Sequence, residues 1–151
     1  MTLTRLPLIG AACVLVALAS SVQLGRAQSS AENDAITRTA LDYIEGFYTG
    51  DAARMERALH PQLAKRIMRV DPATGAPRLD QQDAARLIAI TKSRAGATPP
   101  ATQQKDVTVL DVYGNAATVK VVANDWIDYL HVVKWEGRWQ IVNVLWEMKA
   151  K

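Results

Sequence analysis

Apolar residues recur at helical spacing between residues 36 and 48, and this pattern predicts a long amphipathic helix. Ser29, with Glu32 three positions later, resembles a capping box at the start of that helix. Gly50 suits the position just after the last helical turn, so we expect the helix to end there. The predicted apolar face consists of Ile36, Ala40, Tyr43, Ile44, Phe47 and Tyr48.

Two shorter helices are predicted downstream of the first. Asp51 is placed to cap the second helix, which ends at His60 because the residue before a proline disfavours helical backbone. Asp80 is placed to cap the third helix, and Gly96 to close it. Between the second and third helices, residues 63–70 allow a short strand, and residues 71–77 carry the turn residues of a loop. The inward positions are Met55, Ala58 and Leu59 on the second helix, and Ala84, Leu87, Ile88 and Thr91 on the third.

From residue 107 onwards the period changes to two, which predicts four antiparallel strands. The last pair forms a hairpin between Trp126 and Met148, which contains all four tryptophans of the chain. Both faces of this hairpin are largely apolar, so both must be covered. The polar residues Asp128, His131 and Asn143, set among apolar ones, are typical of a pocket floor. Helices followed by a strand meander indicate an α+β domain.

The first 27 residues have the layout of a secretory signal peptide: Arg5, an apolar stretch and a small-x-small site ending at Ala27. We therefore expect export and cleavage after that site. The remaining domain, residues 28–151, should be periplasmic or secreted and should not insert stably into a membrane. The alternative is an uncleaved anchor, since the segment from Leu6 to Leu24 approaches membrane-spanning length.

Composition narrows the expected chemistry. Cleavage would remove Arg5 and Arg26 and lower the formal charge from +3 to +1, which leaves no basic stripe to indicate a nucleic-acid partner. It would also remove Cys13, the one cysteine, so the stability of the exported domain must come from its core. Two distant histidines provide no metal site, and no glycine-rich phosphate loop or nucleophile elbow is present. No cofactor or metal is expected.

Four segments of the sequence resemble nuclear transport factor 2-like proteins, most closely the branch described as putative lumazine-binding. Residues 42–51 (DYIEGFYTGD) resemble the first helix, and residues 55–61 (MERALHP) resemble the second helix and its exit. Residues 126–131 (WIDYLH) and 137–146 (GRWQIVNVLW) resemble the closing strands. The resemblance covers residues 31–148. It implies an α+β cone, in which a curved antiparallel sheet wraps around three N-terminal helices and a cavity opens between the first helix and the concave face.

Strand parity predicts which side chains face that cavity. With a two-residue turn at Glu136-Gly137, Leu130 pairs with Asn143. A three-residue turn would instead flip the last strand, and Asn143 would join Tyr129 and His131. In the first register the cavity face comprises Trp126, Asp128, Leu130, Val132, Trp139, Ile141, Asn143 and Leu145. The other face, a predicted homodimer interface, comprises Ile127, Tyr129, His131, Val133, Trp135, Val142, Val144 and Trp146.

Three functions remain open at this point, because this fold hosts enzymes and binding proteins alike. The first is an exported protein that binds a small hydrophobic or aromatic molecule, with Asp128 and Asn143 as polar anchors. The second is a cofactor-free isomerase, dehydratase or cyclase that uses Asp128 as general acid or base. The third is a structural dimerisation or partner-binding module with a vestigial cavity. The expected pocket residues are Tyr43, Phe47, His60, Trp126, Asp128, Leu130 and Asn143.

Overall fold

A computed structural model describes the backbone of residues 10–94 and 98–150 and the side chains of residues 29–94 and 98–150. The chain divides into two compact units, Met1–Asn33 and Asp34–Lys151. The predicted signal peptide, residues 1–27, lies outside the residues whose side chains are described, and so does the predicted helix end at Gly96. Within the described part of the chain, no helix is long and apolar enough to cross a membrane.

The helices are α1 (Gly10–Thr49), α2 (Ala52–Ala58) and α3 (Ala84–Lys92), with a short 3-10 turn at Pro100–Thr102. Gly50 follows α1 with a φ of 75°, as its predicted role requires. Asp51 caps α2 as predicted, since its side chain accepts a hydrogen bond from the Arg54 backbone N–H. The predicted capping box at Ser29 is wrong, because Ser29 lies inside α1.

The predicted cap of α3 is also wrong. Asp83 accepts the backbone N–H of Arg86, whereas Asp80 lies in a strand. The residues of that strand were predicted to form the end of a loop and the start of the third helix. Its sequence, Pro77–Gln82, is mostly polar because it forms the exposed edge of the sheet.

Six strands of the described chain form one curved sheet in the order β2-β1-β6-β5-β4-β3. They are β1 (Leu59–Val70), β2 (Pro77–Gln82), β3 (Lys105–Tyr113), β4 (Ala116–Ala123), β5 (Trp126–Trp135) and β6 (Arg138–Met148). The sheet is mixed rather than wholly antiparallel, because β1 pairs with β6 in parallel and the other pairs are antiparallel. The α+β class is confirmed, with helices packed on one face of the curved sheet.

The register of the terminal hairpin changes part-way along. The turn at Glu136-Gly137 has two residues, as predicted, and both have positive φ, 48° and 79°. The register then shifts between Val132, which pairs with Ile141, and His131, which pairs with Asn143. An extra residue in one strand of this kind is a β-bulge. Each β6 side chain beyond the bulge therefore lies on the face of the sheet opposite to the predicted face.

The core lies between the helices and the concave face of the sheet. Its helical part includes Ile36, Ala40, Tyr43, Ile44 and Tyr48. Its sheet part includes Val119, Val121, Leu130, Val132, Ile141 and Val144. Val144 was predicted to face outward, and the bulge brings it inward instead.

Candidate ligand-binding site

A cavity of about 250 Å³ opens beside this core, between α1, α3 and the concave side of the sheet. Its apolar lining consists of Phe47, Leu87, Ile90, Trp126, Trp146 and Met148. Its polar lining consists of Tyr43, Lys65, Gln82, Arg94 and Asp125. The mixture of aromatic walls and a few converging polar groups is characteristic of small-molecule sites.

A buried polar cluster forms the floor of the cavity, with the fully buried Asp128 at its centre. Asp128 Oδ1 accepts a hydrogen bond from Lys65 Nζ at 2.5 Å. Asp128 Oδ2 accepts from the Tyr43 hydroxyl at 3.1 Å and from Trp126 Nε1 at 2.7 Å. Lys65 Nζ also donates to the Tyr43 hydroxyl at 2.6 Å. Both carboxylate oxygens are therefore occupied, as a buried charge requires.

Three strands bring this cluster together. Lys65 and Asp128 belong to β1 and β5, which are separated by β6, and Trp146 of β6 is the register partner of Asp128. The lysine side chain reaches across β6, so that Nζ lies 4.7 Å from the centre of the Trp146 ring. Hydrogen bonding to Tyr43 of α1 then ties the sheet to the helix above it.

Burial shifts the pKa values of the two groups beside Asp128. Burial lowers the pKa of Lys65 below its ordinary value, against the opposing attraction and hydrogen bond of Asp128. Burial, together with the Asp128 charge and its hydrogen bond, raises the pKa of Tyr43 well above its ordinary value. Tyr43 therefore stays protonated at neutral pH and can act only as a hydrogen-bonding hydroxyl there.

Lys65 is the member of the cluster best placed to meet a bound molecule. Its side chain lines the cavity, although only 6% of the residue is exposed. An ammonium has three N–H donors. Among the described residues, two acceptors are Asp128 and Tyr43, so one donor remains for a molecule in the cavity.

Arg94 supplies a second cation to the cavity lining. Its guanidinium lies 4.4 Å from the centre of the Phe47 ring, within the range of a cation–π contact. Its Nε atom is buried and has no hydrogen-bond partner within the described part of the chain. Phe47 is in turn packed edge-to-face against Trp126, with ring centres 5.5 Å apart.

The structure separates the seven residues predicted for the pocket into two groups. Tyr43, Phe47 and Trp126 line the cavity, and Asp128 lies directly beneath them. The other three predicted residues do not line the cavity.

The predicted position of Asn143 in the cavity is wrong, because the bulge turns its side chain to the other face of the sheet. Its side chain accepts a hydrogen bond from Arg66 at 2.9 Å and contacts His131 Nδ1 at 3.2 Å, on the face away from the cavity. The predicted pairing of Asn143 with Leu130 is wrong, because Leu130 pairs with Val144. The observed partnership with His131 is the one that the alternative register predicted, although the turn has two residues.

Leu130 and His60 also lie away from the cavity lining. Leu130 is wholly buried in the core. His60 is the second residue of β1 rather than the end of a helix, and its ring packs edge-to-face on Trp135, with ring centres 5.3 Å apart. Its ring Nδ1 accepts the backbone N–H of Gln62. These contacts give His60 a structural role at the start of the strand.

Sequence reasoning missed Lys65, Arg94 and Trp146. The alternation Leu63, Lys65, Ile67 does place Lys65 on the buried face of β1, so strand parity could have found it. Trp146 was placed outward because the bulge has no sequence signature. Arg94 follows the last turn of α3, where a basic residue is ordinary.

The comparisons with known proteins identify the family. The family model described as putative lumazine-binding matches residues 31–147. The chain belongs to this family. None of the curated protein sequences matches the chain.

Solved structures share the fold at low identity. A nuclear transport factor 2-like protein from Silicibacter pomeroyi is 20% identical with a TM-score of 0.65, over 80% of this chain and 98% of that one. A second such protein, from Shewanella baltica, is 20% identical with a TM-score of 0.65, over 81% and 97% of the two chains. Both are described as being of unknown function. A ketosteroid isomerase-like protein from Erwinia carotovora is 13% identical with a TM-score of 0.50, over 78% and 96%. These likenesses confirm the predicted nuclear transport factor 2-like fold.

Proposed function

We propose that this protein is an exported binder of a small, largely apolar molecule, held in the cavity above Asp128. The observation that carries the proposal is the aromatic-walled cavity with a buried lysine on its floor. Ligand pockets for drug-sized molecules have volumes of about 300–1,000 Å³. At about 250 Å³ this cavity suits a smaller molecule, of the order of one or two rings. The family description, which names lumazine binding, agrees with a small-molecule ligand.

The polar anchor in this proposal is Lys65 rather than the predicted pair Asp128 and Asn143. Asp128 has no exposed surface, and its oxygens already accept hydrogen bonds from Lys65, Tyr43 and Trp126. A general base must reach the proton that it removes. This arrangement supports binding over the alternative of an isomerase-like enzyme that uses Asp128 as acid or base.

A cavity-filling substitution tests the proposal. Ile90 lines the cavity, whereas its neighbour Ala89 on the same helix is exposed. Small aromatic compounds would be screened by thermal shift against wild type, Ile90→Trp and the control Ala89→Trp. Compounds that stabilise wild type and Ala89→Trp should leave Ile90→Trp unshifted. Equal shifts in all three proteins would place binding outside the cavity, and a screen without any shift would favour the structural module.

Export and dimerisation belong to the same proposal. The intact mass of the exported protein should correspond to residues 28–151, and retention of residues 1–27 would contradict cleavage. The face of the sheet away from the helices exposes Tyr129 (43%), Trp135 (51%) and Leu145 (53%), which supports a homodimer through that face. Light scattering should show a dimer for wild type and a monomer for Leu145→Glu. A wild-type monomer at micromolar concentration would contradict it.

A further inference from the structure

The two cations of the cavity differ in how their charges are balanced. Lys65 is neutralised by Asp128 at 2.5 Å. Arg94 forms no ion pair with any acidic side chain in the described part of the chain, and its buried Nε–H lacks an acceptor there. Asp125 also lines the cavity, but it is exposed, and solvent screens its charge. The two cations are therefore balanced unequally, because Lys65 has a carboxylate bonded to it and the guanidinium beside the aromatic wall has none within the described residues.

We propose that the cavity selects small planar molecules that carry a carboxylate or a similar anionic group, and that Arg94 binds this group. The inference rests on the proposed small-molecule function and names its ligand class. A buried N–H without an acceptor is unfavourable, and a ligand oxygen would relieve that penalty. The planar guanidinium presents paired donors that match the two oxygens of a carboxylate, which a lysine cannot reproduce.

The aromatic lining favours a flat ligand. Phe47 and Trp126 form one wall, and the Arg94 guanidinium lies over the Phe47 ring. Trp146 contributes a second aromatic surface, with Lys65 Nζ over its ring. An aromatic ring of the ligand can stack on these side chains while its anionic substituent reaches the guanidinium. The spare N–H of Lys65 offers a second donor from the floor of the cavity.

Matched pairs of acids and amides test this inference. Benzoate with benzamide and 2-naphthoate with 2-naphthamide differ in charge but hardly in shape. Binding to the full mature protein would be followed by quenching of tryptophan fluorescence, since Trp126 and Trp146 line the cavity. A charge-assisted hydrogen bond predicts that the acid of at least one pair binds about tenfold more tightly than its amide.

Three variants assign the preference to a residue. Arg94→Gln should bring the acid-to-amide ratio to about one. Arg94→Lys keeps the positive charge but not the planar paired donors, so it should fold and reduce the ratio without abolishing it. Arg86→Gln removes an exposed arginine from α3 and leaves the cavity unchanged, so the ratio should stay at the wild-type value.

The outcomes separate this inference from the proposed function. Equal binding of acid and amide to wild type would overturn the anion preference and leave small-molecule binding intact. A wild-type preference that survives in Arg94→Gln and Arg94→Lys would overturn the role of Arg94. If neither member of either pair quenches the fluorescence at millimolar concentration, both the anion preference and the binding of one- or two-ring aromatic molecules are wrong.

Discussion

Replacing Asp128 by Asn should destabilise the protein strongly, because it leaves Lys65 buried without its counter-ion. Lys65 is 6% exposed and Asp128 is 0% exposed, so solvent cannot replace the lost charge. Removing one partner of a buried ion pair typically costs about 3–5 kcal/mol, and we expect a loss of that size at pH 7. From the sequence alone, where no cation was assigned beside Asp128, the same substitution would be expected to hold or raise stability.

The loss should shrink as the pH rises. Burial lowers the pKa of Lys65, and Asp128 opposes that effect, so Asp128→Asn removes the opposition and lowers the pKa further. In both proteins the folded-state pKa of Lys65 lies below the unfolded-state value of about 10.4, so stability rises with pH between the two values. The variant enters this window at a lower pH than wild type, so its deficit shrinks between the Lys65 pKa of the variant and that of wild type, by up to about 1.4 kcal/mol per pH unit. Tyr43 does not offset this below pH 9, because its pKa is raised above its ordinary value.

The measurement is urea unfolding at several pH values between 6 and 9. It is also made on Lys65→Met and on the double variant that combines Lys65→Met with Asp128→Asn. The double variant leaves no buried charge in the cluster, so it should recover most of the stability lost in Asp128→Asn. An Asp128→Asn protein as stable as wild type would show that Lys65 is not held as a buried ammonium by Asp128, and a deficit that grows as the pH rises would contradict the lowered pKa of Lys65.

Two smaller predictions concern the junction between α1 and α2. A methyl group at Gly46 would lie 3.1 Å from the Met55 backbone nitrogen and 3.2 Å from the Asp51 carbonyl oxygen. Gly46→Ala should therefore lower the unfolding free energy measured in urea by about 1 kcal/mol, despite the better helix propensity of alanine. A stabilised variant would contradict this crowding. Asp51→Ala removes the cap that accepts the Arg54 N–H and should also cost about 1 kcal/mol by the same measurement, and an unchanged midpoint would mean that solvent satisfies this end of α2 equally well.

Local sequence signals predicted the features of the fold that depend on neighbouring residues. The cap at Asp51, the positive-φ Gly50 and the turn at Glu136-Gly137 each follow from the conformational preferences of a few residues. The amphipathic face of α1 likewise follows from its period. These features are local, so the sequence alone carries the information needed to place them.

Features that depend on sheet partners were not predictable in the same way. The bulge opposite His131 and Val132 reverses the facing of Asn143 and Val144, and nothing in the residue types at that point marks it. The edge strand Pro77–Gln82 has no apolar alternation, because an exposed edge needs none. Lys65 was overlooked because lysine is rarely buried, and only the position of Asp128 across β6 explains its burial.

The buried Lys65–Asp128 pair is itself an argument for function. Two apolar residues of similar size would often be as stable at such a position, because removing both charges from water costs about as much as their attraction returns. Folding alone therefore gives little reason to keep an ion pair beneath an aromatic cavity. In the proposed binding function, the pair has a role that folding does not give it, because it orients Tyr43 and Trp126 and presents an ammonium to the cavity. The double variant tests this reasoning directly: it should fold with nearly wild-type stability and yet bind the cavity ligands of wild type more weakly, and unchanged binding would reduce the pair to a structural element.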